Sequence, residues 1–157
     1  MKKYFLILSF VSLLVSSCEK DDFCIDPITP NMIIRFYDAT NPTETKSVSN
    51  LSVQPEGYED IYSNVSIDSL LLPLDVMNNE IVYNLSSDGN QDILTITYDV
   101  EEKFVSRSCG FKAIFRNVIV TSDPSNEWIL GLTESGNNTV TISTIEDESA
   151  AHVQIYH

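Results

Sequence analysis

Basic residues are scarce in this chain: nine lysines and arginines stand against 23 aspartates and glutamates, for a formal charge of −14. Nucleic acid requires clustered cations against its phosphates, so it is excluded as a natural partner. Flat docking on anionic lipid is disfavoured for the same reason. Cations, basic protein surfaces and neutral glycans remain open. Histidine is nearly absent. His152 and His157 are the only two, both at the C-terminal end, and neither sits in an HExxH zinc motif or accompanies a GxSxG serine. The three cysteines, Cys18, Cys24 and Cys109, form no CxxC pair and have no histidine near them in sequence, so neither a metal site nor a redox motif is expected. No apolar run reaches the roughly 20 residues needed to cross a bilayer. Capped amphipathic helices, internal repeats and low-complexity tracts are missing too.

What is present begins at the N-terminus. Lys2-Lys3 precede a mainly apolar run over residues 4–15, and small residues follow it, which is the plan of a secretory signal. The segment Val15-Ser16-Ser17-Cys18 resembles the lipobox of bacterial lipoproteins. That resemblance implies that residues 1–17 are a signal peptide, removed on maturation, and that Cys18 receives diacylglycerol on its thiol and usually an acyl chain on its amine. Two or more chains hold a protein on a membrane stably. A plain secretory signal with an ordinary thiol at Cys18 is the alternative. Glu19-Lys20-Asp21-Asp22 is similar to the export signal of surface-displayed lipoproteins of the Bacteroidetes, although a solvated charged tether over residues 18–23 accounts for the same residues. The localisation implied is the outer membrane, at the cell surface in preference to the periplasmic face. With Cys18 acylated, Cys24 and Cys109 are the two thiols left in an oxidising compartment, and a disulfide between them is expected.

Residues 24–157 are the right size for a single domain. Period-two alternation dominates them. Met32, Ile34 and Phe36 share one strand face, and Leu94, Ile96, Tyr98 and Val100 form the clearest inward face, with Thr95 and Thr97 outward. Trp128, Leu130 and Leu132 repeat the pattern, as do Val140 with Ile142 and Val153 with Ile155. Turn residues such as Asn41-Pro42, Pro55-Glu56-Gly57, Asp88-Gly89-Asn90 and Ser135-Gly136-Asn137-Asn138 punctuate these runs. Pro73 argues against a long helix over residues 67–74, which read as an edge or sheet-switching strand with Leu70, Leu72 and Leu74 on one face. The fold class expected is all-β, an antiparallel β-sandwich of about seven to nine strands, immunoglobulin-like or transthyretin-like, with little or no helix.

Two blocks, Met32 to Asp38 with Asn41-Pro42-Thr43, and Phe104 to Phe111 through Arg107 and Cys109, together with the closing His152-Val153-Gln154-Ile155-Tyr156, resemble an uncharacterised family of Bacteroidetes (flavobacterial-type) lipoproteins carrying a domain of unknown function. The resemblance implies a compartment and one β-rich domain and supplies no active site.

Candidate chemistry is sparse. Asp88-Gly89-Asn90-Gln91-Asp92, with Asp99, resembles a calcium loop, but Ile93 stands where the sharp turn needs glycine, and an Asp-Gly hairpin turn explains the same residues. Tyr58 and Tyr62, among Glu56, Glu59 and Asp60, mark a possible ligand surface, and Tyr37 and Trp128 are further aromatics that either stack on sugars or pack in the core. Arg35 and Arg107 interrupt apolar runs and either pair with an acid or contact a partner. Asp68-Ser69-Leu70 looks like a short O-glycosylation acceptor, at Ser69. The function expected is a lipid-anchored, non-enzymatic structural or protein-interaction module without cofactors, perching on the membrane through acylated Cys18 beside an outer-membrane β-barrel protein. A glycan or small-molecule binding module is the alternative, and a carboxylate-based hydrolase the third reading.

Overall fold

The alternating runs become nine strands in the computed structural model, which describes Cys24, residues 29–123, Ser125 and residues 127–157. They are β1 (Met32–Tyr37), β2 (Val48–Pro55), β3 (Tyr62–Ile67), β4 (Ser69–Leu72), β5 (Glu80–Ser87), β6 (Asn90–Ser106), β7 (Gly110–Ser122), β8 (Thr139–Ile145) and β9 (Val153–Tyr156). The first six residues of the mature-chain forecast, the tether over 18–23, and the leader lie outside the described residues, as does Cys18. No helix occurs among the described residues.

Two sheets enclose one core. Six strands in the order β3-β2-β5-β6-β7-β8 are antiparallel throughout, and three in the order β4-β1-β9 face them. Met32, Ile34 and Phe36 of β1 pack with Leu70 and Leu72 of β4, Val153 and Ile155 of β9, and the inward rows of the larger sheet. Burying such side chains contributes roughly 1.5–3 kcal/mol each. The all-β sandwich expected from the alternation is therefore what forms, with one departure: β1 and β9 run parallel. A parallel neighbour needs a long connection, and β9 meets that condition because it returns from the far end of the chain.

Local chemistry sets the corners. Asp88 and Gly89 both have positive φ, 51° and 90°, the two-residue turn that matches the twist of the β5–β6 hairpin. Ser87 faces Asn90 across it. Asp68 separates β3, an edge of the large sheet, from β4, an edge of the small one, so residues 67–74 switch sheets as expected, with Leu70, Leu72 and Leu74 buried. Asn117, at φ 51°, carries the register shift between β6 and β7, a β-bulge that lets both Phe115 and Val118 point inward.

Residues 128–132 depart from the expected strand. Ile129 and Leu132 are buried whereas Leu130 is 60% exposed, and only an isolated bridge from Gly131 to Tyr156 ties the segment to β9. The cause is Asp92. Its carboxylate accepts hydrogen bonds from three consecutive backbone groups, Glu127 N–H (2.6 Å), Trp128 N–H (3.0 Å) and Ile129 N–H (2.7 Å). Successive N–H groups aimed at one acceptor cannot alternate as a strand requires.

Candidate functional site

Two places combine exposed aromatic side chains with a shape that could meet a partner. The first is a depression of about 280 Å³ where the end of β2 meets the segment after β4. Pro55, Tyr58, Ile61, Pro73, Leu74 and Ile81 supply apolar walls, Tyr83 the floor and Asp75 the one charge. Gly57, at φ 81°, turns the chain so that Tyr58 stands out at 66% exposure. Beneath, Tyr83 donates its hydroxyl to the Pro73 carbonyl, and Tyr98 donates to the Asp75 carbonyl at 2.9 Å. Burial pushes the Tyr98 phenol up to about 12 and the Tyr83 phenol higher still, with the neighbouring Tyr98 adding to the latter. Both therefore stay neutral and serve as struts for the segment. Asp75 is held below the usual carboxylate range by the Asn78 side chain and then by the Met77 N–H, so its oxygens are already engaged.

Tyr62 does not join Tyr58. It begins β3, and its hydroxyl oxygen accepts from the Leu71 N–H at 3.2 Å, bracing the sheet switch.

The second place is the β6–β7 hairpin. Among the described residues, 101–106 and 110–114 have ladder partners only in each other, so this end of the hairpin is a two-stranded arm. Phe104 faces Phe111 across it, with ring centroids 5.4 Å apart, at 56% and 62% exposure. Cys109, in the turn at the tip, is bonded to Cys24, with an S–S distance of 1.99 Å and a Cα–Cα distance of 4.8 Å. The expected disulfide is present. Arg107 lies exposed at the same tip and makes no ion pair among the described residues. On the opposite face of the arm Lys103 pairs with Glu146, Lys112 donates to the Glu146 carbonyl at 2.8 Å, and Arg116 pairs with Glu101.

The other candidates are dispersed. Arg35 is exposed on β1 opposite Ser69, and likewise makes no ion pair among the described residues. The Ser69 hydroxyl donates to the Ile34 carbonyl at 3.1 Å. Trp128 packs against Phe36 and His157, and Tyr37 against Tyr156. Of the calcium-like residues, Asp92 turns inward to the three N–H groups, Asp88 accepts from Asn50 at 2.7 Å, and Asp99 accepts from Asn117 at 2.8 Å. His152 Nδ1 accepts from the Ile33 N–H at 2.9 Å, and the His157 ring contacts the Lys46 carbonyl at 3.2 Å. Among the described residues no group of three or more His, Cys, Asp or Glu is placed to hold a metal ion.

Comparison with known proteins bears on the fold and its lineage. The family of unknown function DUF6452 matches residues 50–157, more than half of the chain. The chain belongs to this family. No curated protein and no solved structure matches it. The DUF6452 match starts within β2, yet β1 lies upstream of it at the centre of the smaller sheet, so the folded unit extends beyond the matched residues. The Tyr58 depression, the Phe104–Phe111 pair and Cys109 all fall inside the match.

Proposed function

We propose that this chain is a lipoprotein of the Bacteroidetes envelope, acylated at Cys18 and moored on the outer membrane, with the cell surface favoured over the periplasmic face. There it serves as a non-enzymatic structural or protein-interaction module, with a β-barrel protein of the same membrane as its partner. The observation that carries the reading is the Cys24–Cys109 disulfide: it accounts for two of the three cysteines and leaves the third at the position a lipobox requires. The same bond ties the tip of the β6–β7 arm to a residue six positions after the anchor. Replacing Cys18 by alanine should shift the protein from the membrane pellet to the soluble fraction, and persistence in the pellet would remove the anchor. Mild cross-linking should then capture one reproducible membrane partner with wild type; a monomer alone would remove the interaction role.

A second reading, binding of a glycan or another small molecule, is favoured by the Tyr58 depression, since an exposed ring beside an apolar concavity suits the flat face of a sugar. Glycan-array binding should fall about tenfold or more in Tyr58→Ala. Equal signals from both proteins would end this reading.

A further inference from the structure

The inward rows of β6 and β7 continue past the end of the core. Val100 faces Phe115 within the core, Ala113 still packs against it opposite Glu102, and Phe104 faces Phe111 last. The final pair keeps the parity of core residues but has no opposing strand among the described residues, and its two phenyl rings are 56% and 62% exposed. Charge follows the same boundary. Residues 103–112 hold no acid in a chain whose formal charge is −14, and although Glu146 engages Lys103 and Lys112 on the opposite face, Arg107 stands exposed at the tip with no ion pair among the described residues.

We propose that the arm tip is a membrane contact, in which Phe104 and Phe111 enter the headgroup–acyl boundary of a phospholipid bilayer while Arg107, exposed at the tip, meets its phosphates. This inference rests on the lipid anchor at Cys18 proposed above. Cys24 lies six positions after Cys18, a reach of at most roughly 20 Å when extended, and it is bonded to Cys109 beside the two rings. Anchored acyl chains therefore hold this end of the molecule, and no other, against the bilayer. Aromatic rings beside a cation are a composition that settles about 5–10 Å into the interface. The acidic remainder is repelled by anionic headgroups, which favours a tip-first orientation over a flat one.

The test uses the full lipidated chain in vesicles of phosphatidylethanolamine and phosphatidylglycerol whose acyl chains carry bromine, a contact quencher of indole emission. Phe104→Trp and Phe111→Trp are the reporters, and two are used so that the result does not depend on either substitution alone. Leu130→Trp is the control. It is 60% exposed and lies beside Asp92, twelve residues along β6 from Phe104, or about 40 Å. Both tip reporters should lose about half or more of their added emission, at the depth expected of an interfacial ring, while the control and native Trp128 are unchanged. Vesicle flotation with unquenched tip reporters would overturn the contact and leave the anchor standing. Equal quenching at tip and control would overturn it as well, because the molecule would then lie without a preferred end. Failure to float, with no lipid on Cys18, would overturn the anchor and the contact together.

Discussion

A carboxylate with 1% of its surface exposed is costly to bury unless donors meet it, and at Asp92 three backbone N–H groups do so. Hydrogen bonds to a charged group contribute about 1.5–3 kcal/mol each, and a buried donor left without an acceptor costs a comparable amount. Asp92→Ala should accordingly destabilise the fold by about 3 kcal/mol or more, and Asp92→Asn, which keeps one acceptor oxygen, by about half as much. Urea denaturation checks both, and a loss below about 1 kcal/mol in the alanine variant would contradict this account of residues 127–129. The two histidines make a second prediction. Burial lowers both from the ordinary value of 6.5, with the Asp147 carbonyl and the Asp147 and Glu148 carboxylates opposing the shift at His152, and the Lys46 carbonyl and Asp38 opposing it at His157. A base whose folded value lies below its unfolded value binds fewer protons when folded. Its contribution to stability is then complete above pH 6.5 and is lost as pH falls through 6.5 toward the folded value. Protonated Nδ1 of His152 would also confront the Ile33 N–H as a second donor. Amide exchange in β9 and β1, corrected for its intrinsic pH dependence, should be faster at pH 5.5 than at 7.5; unchanged or slower exchange would contradict the coupling.

At the scale of elements, the β6–β7 arm depends on its disulfide. Closing a separation of 85 residues stabilises by about 4–5 kcal/mol in the chain-entropy picture. The double variant Cys24→Ser/Cys109→Ser should therefore lower unfolding free energy by an amount approaching that figure, read from denaturant midpoints, and an unchanged midpoint would show that the bond constrains only the arm. Much of the element plan is legible in the sequence because one residue type repeats on one face. Met32, Ile34 and Phe36, then Leu94, Ile96 and Tyr98, alternate cleanly because each strand has one solvated side, and the leucines at 70, 72 and 74 expose the sheet switch. The rest depends on partners remote in sequence. Leu130 reads as a core residue until the Asp92 carboxylate, 38 positions earlier, winds the backbone beside it. Phe104 and Phe111 escape a sequence reading altogether, since parity marks a face without saying whether a second sheet covers it. Tyr58 was locatable as an exposed ring beside a glycine turn, but its walls come from Pro73, Leu74 and Ile81, which only the fold brings together. Tyr62, close to it in sequence, is diverted by the Leu71 N–H.

For the molecule as a whole, the disulfide and the aromatic pair meet at one end, six positions in sequence from the proposed anchor at Cys18. The central claim is that a thiol at Cys18 carries lipid and that the next cysteine fastens the sandwich beside it. Mass spectrometry of the protein isolated from its own membranes, digested without reduction, tests both halves at once. The account predicts a mature N-terminus at Cys18 bearing a diacylglyceryl mass, and a cross-linked peptide joining Cys24 to Cys109. A chain beginning elsewhere, or an N-terminal Cys18 with an unmodified thiol, would contradict it.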